Sequence, residues 1–334
     1  MRNYTFVKTF DLIRKRNTLL ISIFILMNVI GKTQSFLVPA DTLNKKRFNT
    51  ALAFTATTYT AFSVGLYNIW YRKFDQGPFH LYNDLGEWGH MDKLGHVHTA
   101  YLQGVLCYQG ARWTGLNKKK SILTGMICGT LFQSTIEVMD GFSSKWGFSL
   151  PDIAANVTGT SVFALQQHYW DEQRISIKVS SIPKQYSRSA IYSNDGSAFS
   201  SADDRANDLF GNNYFEQFLK DYNAQTYWAS VNVHSFLADG NKWPQWLNVA
   251  VGHSAENMYG GYNNTWEEGG KTFSLDNEFP RYHQFFLGFD VDLPKLKPKN
   301  PFLKTICSVF NIFKIPSPAL EINTQGEIKF HLLR

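Results

Sequence analysis

Charged side chains are scarce in this sequence, 18% of 334 residues, while aromatic ones reach 16%. So little charge beside so much aromatic surface excludes a disordered chain and calls for extensive buried or lipid-facing area. Cysteine is nearly absent. Cys107, Cys128 and Cys307 are odd in number and lack the spacing of a metal knuckle or a disulfide scaffold. Cys107 and Cys128 fall in apolar helical stretches, where a thiol acts as a small hydrophobe. In an oxidising compartment an inter-helix disulfide is the alternative. No phosphate-binding glycine loop, dinucleotide fingerprint or nucleophile elbow occurs. A basic body is missing too, despite a pI of 9.0. Residues 1–35 hold Arg2, Lys8, Arg14, Lys15, Arg16 and Lys32 against Asp11, which is +5 of the chain's net +6. The nearly neutral remainder excludes a nucleic-acid partner.

What is present begins with an export pattern. Arg14-Lys15-Arg16 precedes an apolar run over 19–30, and Gly31-Lys32-Thr33-Gln34-Ser35 follows it. A basic segment, a short apolar core and small residues describe a secretory signal peptide, with cleavage expected after Ser35. The run is short for an uncleaved span. No cysteine ends the apolar core, so no lipid-attachment site is expected there.

Four long, nearly charge-free stretches follow, over 48–71, 94–111, 121–139 and 151–170. Gln76-Gly77-Pro78, Gly115-Leu116-Asn117 with Lys118–Lys120, and Asp140-Gly141-Phe142 break them, and Pro151 suits the first turn of the last. Short connections predict antiparallel neighbours, hence an up-down bundle. Gly125/Gly129 and Ala155/Gly159 would allow close helix approach. Four full spans of an inner membrane conflict with the charges. Counted from an exported N-terminus, the basic Lys45–Arg47 and Lys118–Lys120 segments would lie outside, inverting the positive-inside rule. The mean hydropathy of −0.25 is also low for a polytopic chain. A bundle seated on or partly in a membrane, the outer one favoured over the inner, avoids that conflict.

Polar residues gather at one end of this predicted bundle. Asp92 and His96 are four apart and share a helix face, as do Asp152 and Asn156; Glu137 and Asp140 close the third helix. Three readings stay open. The cluster is a paired structural network; or His96, Glu137 and Asp152 ligate a divalent metal, with Asp92 orienting His96; or the cluster binds a polar headgroup or peptide. His98 points elsewhere and is a poor co-ligand.

The strings Glu87-Trp88-Gly89-His90-Met91-Asp92-Lys93-Leu94-Gly95-His96, Ile136-Glu137-Val138-Met139-Asp140-Gly141 and Trp146-Gly147-Phe148-Ser149, with Asp152 and Asn156, resemble the YfiM-like predicted periplasmic lipoprotein family. The order Asp92, Lys93, His96, Glu137, Asp152, Asn156, Gly159 is similar, more distantly, to VanZ-like membrane proteins. The resemblance covers roughly 80–175. It implies an envelope location and groups these residues as one site, without an established activity. The missing lipid-attachment cysteine departs from the lipoprotein pattern.

Composition shifts after Lys178. Residues 179–213 are rich in Ser, Asn, Asp and Gly and predict a linker or loop. A short helix is expected over 214–222, strands over 226–236, 246–253 and 283–293, and a hairpin of 319–323 and 327–332 around Thr324-Gln325-Gly326. The segment 302–315 predicts an amphipathic helix covering the sheet, or else lying at a membrane surface. About five short strands fall below the ~8 of an outer-membrane barrel. His234, His253, Glu256 and His283 lack ligand spacing.

The expected architecture is α+β: a signal peptide over 1–35, a membrane-associated bundle of four apolar helices over 36–178, a linker over 179–213, and a smaller β-containing region over 214–334. The expected function is an exported envelope protein that is structural or binds a ligand or partner, either membrane lipid or envelope proteins. The alternative is a metal-dependent hydrolase of lipid or cell-wall material.

Overall fold

The computed structural model describes residues 38–72 and 74–334. The expected export signal lies outside them. Helix α1 (Lys45–Leu66) comes first, followed by a π-helical turn over Tyr67–Tyr71. Strand β1 (Leu81–Tyr82) leads into α2 (Met91–Trp113) and α3 (Lys118–Gly141). Strand β2 (Phe148–Ser149) then pairs in parallel with β1 and runs into α4 (Leu150–Trp170). Asparagine or serine caps start α1, α3 and α4: Asn44, Asn117 and Ser149 accept the backbone N–H of Arg47, Lys120 and Asp152 at 3.0 Å each.

Helices α2, α3 and α4 pack around Tyr101, Ile122, Phe163 and Ala164. Glycines set how closely they approach. A Cβ at Gly129 would stand 2.7 Å from the Ala100 carbonyl oxygen, and one at Gly159 would collide with that of Val97. Gly159→Val is therefore expected to cost about 3 kcal/mol or more through overpacking, read as a lowered unfolding midpoint.

The expected four-helix bundle with a smaller β region is corrected here. No residue of α1 is buried; Leu52, Phe54 and Phe62 face outward. Its ties to α3 include Tyr59, which stacks on Phe132 and hydrogen-bonds Thr135 at 2.7 Å. Long apolar character made the four stretches look equivalent, yet membership of a bundle requires a face that finds a partner. The β part is not a minor appendage either. The fold is 45% helical and 21% strand and centres on a six-stranded antiparallel sheet.

That sheet has the order β12-β11-β10-β7-β6-β3. Its strands are β3 (Ile175–Ser181), β6 (Gln225–Val231), β7 (Leu247–Glu256), β10 (Tyr282–Val291), β11 (Ala319–Asn323) and β12 (Ile328–His331). Between β3 and β6 lie a small β4–β5 pair (Ile191–Tyr192, Phe199–Ser200), α5 (Ala202–Phe210) and α6 (Tyr214–Lys220). A second pair, β8–β9 (Thr265–Glu268, Lys271–Ser274), follows β7, and α7 (Pro301–Phe310) precedes β11. The turn between β11 and β12 uses Gly326 at φ 86°.

The two faces of the sheet differ in polarity. One row of paired residues is Lys178, Trp228, Gly252, Phe286 and Glu321, and this face is buried. It carries Ser230, Asn248, Ser254, Gln284 and Asp290 as well. The ion pair of Lys178 with Asp290 spans 2.7 Å with both side chains fully buried. The opposite face is mainly apolar, with the stacked His253 and His283 as its polar exception. Helices α2 and α4 cover its β3–β6 end, where Ile177 packs on the Tyr101–Phe163 cluster and Tyr227 on His98.

Candidate functional site

The polar cluster forms where the start of α2, the end of α3 and the start of α4 meet. Before α2 the chain makes a tight turn in which Trp88, Gly89 and His90 all have positive φ (51°, 58° and 64°). Two of the three are bulky residues in the left-handed region, a conformation held by its surroundings. The Trp88 N–H donates to the Gly261 carbonyl at 2.8 Å, and its ring packs on Phe210 and Tyr222. This turn aims the first residues of α2 at the other helix ends.

Lys93 sits at the centre, its ammonium 2.8 Å from Asp84, 2.8 Å from Asp92 and 2.7 Å from Asp152. Ser149 caps α4, donates its hydroxyl to Asp84 at 2.5 Å, and donates its backbone N–H to Glu137 Oε2 at 3.3 Å. Tyr222 donates to Asp92 at 2.6 Å and Tyr71 to Asp140 at 2.7 Å. His96 Nδ1 donates to Asn156 Oδ1 at 3.1 Å. His96 Nε2, on the other side of the ring, faces three carboxylate oxygens, Glu137 Oε1 at 3.5 Å, Asp152 Oδ1 at 3.7 Å and Asp92 Oδ1 at 3.8 Å. Among the described residues Glu137 Oε1 accepts no hydrogen bond, although Glu137 is only 1% exposed.

The electrostatics are lopsided, with many carboxyl groups around one lysine. Burial, then Asp152, Asp140 and Asp92, push the Glu137 carboxyl up to about 10. Burial raises Asp140 to about 7 against the opposing Tyr71 hydrogen bond, and burial with the Asp92 charge raises Asp152 to about 6. Burial would also raise Asp92, but His96 and Lys93 prevail and hold it below its ordinary range. Burial and the neighbouring carboxylates together raise the proton affinity of Glu137, Asp140 and Asp152.

All six residues expected from sequence, Asp92, His96, Glu137, Asp140, Asp152 and Asn156, lie at this end. Asp140 stands apart from the His96 ring, bound to Tyr71. Of the expected metal ligands, His96 and Asp152 come together, and Asp92 joins them, one ligand atom of each lying within 4.8 Å of the others; Glu137 Oε1 is 3.5 Å from His96 Nε2 but is not part of that group. Sequence reasoning missed the central role of Lys93, which the adjacent Asp92-Lys93 pair could have signalled. It also missed Asp84 and Tyr222, for which no local signal exists, and the role of Ser149, whose place ahead of Pro151 and Asp152 is that of a helix N-cap. His253 and His283 stack with ring nitrogens 3.2 Å apart, outside the cluster.

His98 packs edge-on against Tyr227, with ring centroids 5.8 Å apart. Burial lowers it to about 4 from its ordinary 6.5. A folded value below the unfolded one makes its contribution complete above pH 6.5 and progressively lost as pH falls toward 4. We expect acid to remove about 3 kcal/mol through this residue. His98→Phe should flatten the stability profile across that window, as read by denaturation midpoints against pH.

No curated protein and no solved structure matches the chain. Residues 79–168 match the family described as "Predicted periplasmic lipoprotein (DUF2279)", a segment that includes every cluster residue except Tyr71 and Tyr222, and this match supports an exported protein of the cell envelope.

Proposed function

We propose that Asp92, His96 and Asp152 hold one divalent cation beside Glu137, and that the protein serves in the envelope as a metal-dependent binding protein. The spacing around His96 Nε2 carries this reading. Separations of 3.5–3.8 Å to three carboxylate oxygens are too long for good hydrogen bonds. Ligands bound at about 2.0–2.2 Å to one tetrahedral ion stand roughly 3.3–3.6 Å apart. A cation bound between the nitrogen and the carboxylates would offset the crowding of like charges around the ring. One nitrogen with carboxylate oxygens suits Zn²⁺ or Mn²⁺ better than Ca²⁺, which takes oxygen ligands alone. Asn156 orients the imidazole by accepting from Nδ1, the usual arrangement behind a ligating histidine. Lys93 neutralises part of the charge beside it.

A second reading, metal-dependent hydrolysis of lipid or cell-wall material, is favoured by the opening at the site. The side chains of Asp92 and His96 keep 18% and 13% exposure, so one side of the cluster is reachable from solvent. A cation there would polarise a substrate carbonyl or phosphoryl oxygen. Titration of chelator-stripped protein with Zn²⁺ and Mn²⁺ by calorimetry tests the shared premise, and absence of binding would remove both readings. Metal-dependent release of fatty acid or glycan fragments would select the second.

A further inference from the structure

The six-stranded sheet has its polarity inverted relative to a sheet in water. Its enclosed face carries Lys178, Asp290, Gln284 and Glu321, all buried. Its outer face presents the paired row Val251, Leu287, Leu320 and Phe330, each between 41% and 67% exposed. The neighbouring row adds the exposed Phe285 and Ile322, next to the partly buried His253. A sheet with one face in water places its polar residues on that face. Here the polar residues are enclosed and the exposed row has none. A contiguous apolar patch of this kind marks an interaction surface.

We infer that this uncovered face lies against the acyl chains of a phospholipid membrane. The face continues an established interface: α2 and α4 cover it at Ile177 and Tyr227, and the apolar rows run on from there without cover among the described residues. The helix layer shows the same property on its outer side. On α3, Leu123, Ile127 and Leu131 form a four-residue stripe, each more than half exposed. That stripe starts just after the exposed Lys119 and Lys120, whose charges complement lipid phosphates at headgroup depth while their stems follow the apolar surface; Lys118 beside them is paired with Asp171. Apolar-out, polar-in alternation is what strands in contact with lipid require. A second copy or another protein would bury the same residues, but neither accounts for apolar exposure on sheet and helices together with a lysine cluster at one end of the helix stripe.

The test places a photoreactive benzophenone amino acid at Leu287 or at Ile322 of the full chain, reconstituted with phosphatidylethanolamine/phosphatidylglycerol vesicles. We expect flotation with the vesicles and, on illumination, adducts of phospholipid mass at both positions. The same probe at Glu267, exposed on β8, should give none. A Leu287→Lys/Ile322→Lys variant, whose changes leave the enclosed face intact, should float several-fold less while keeping its near-ultraviolet dichroism. The inference is overturned if the protein is a monodisperse monomer without lipid or detergent. Crosslinks to a second copy in place of lipid, or adducts equally abundant at Glu267, would overturn it as well.

Discussion

Chelator-stripped protein will take up about one equivalent of Zn²⁺ or Mn²⁺ per chain, and His96→Ala or Asp152→Ala will abolish that uptake. Removing even an outer partner of a metal ligand costs roughly 10–100-fold in affinity, so loss of a direct ligand should exceed about 100-fold. Asn156→Ala, which frees the imidazole to rotate, should fall within that outer-partner range. Saturation at 100 times the dissociation constant would raise stability by about 2.7 kcal/mol, visible as a metal-dependent unfolding midpoint. Because burial holds Glu137 protonated up to about pH 10, binding near neutrality must expel protons, and affinity should rise with pH. Lys93→Met separates this reading from simple architecture. Lys93 is the ammonium already placed among Asp84, Asp92 and Asp152, so its loss should strengthen metal binding. A purely structural network would be weakened by the same change, with no metal to restore it. Elemental analysis beside calorimetry on these four variants distinguishes the outcomes.

Asp290→Ala is expected to be the most damaging single change outside the cluster. Lys178 and Asp290 pair at 2.7 Å with no exposure. The ammonium also donates to Asn311 at 2.9 Å and to the Val291 carbonyl at 3.0 Å. Asp290 in turn accepts from Ser230 at 2.6 Å and from the Ile315 N–H at 2.9 Å. Such a network is satisfied as a whole. Deleting one partner strands a buried charge and costs about 3–5 kcal/mol. Replacing both, as in Lys178→Met/Asp290→Leu, should recover most of that loss, because the desolvation penalty goes with the charges. Urea denaturation of the single and double variants gives the comparison. A single variant as stable as wild type would mean that water reaches Lys178.

Much of the local structure was legible. Helices over 94–111, 121–139 and 151–170 lie within α2, α3 and α4, and the expected strands and terminal hairpin overlap β6, β7, β10, β11 and β12. The strand expected over 226–236, however, stops at Val231 and gives way to a 3-10 turn over Val233–Phe236. The i, i+4 pairs Asp92/His96 and Asp152/Asn156 came directly from helical periodicity. The short region over 302–315 does form a helix, α7, capped by Asn300 and with Phe302 and Phe310 exposed. The polarity of the sheet was harder to read. Alternation shows that a strand has two faces, but not which of them the chain encloses.

The sequence by itself determined the elements and the identity of the residues able to carry chemistry, because helix and strand periods are properties of neighbouring residues. Only the tertiary structure decided that α1 stays outside the helix layer. It also decided that Lys93 sits among Asp84, Asp92 and Asp152, and that the sheet turns its polar side inward. These outcomes rest on partners such as Ser149 with Asp84, 65 residues apart, and Tyr222 with Asp92, 130 apart. No local pattern encodes which distant segment will satisfy a buried polar group, because that choice is made by packing the whole chain at once.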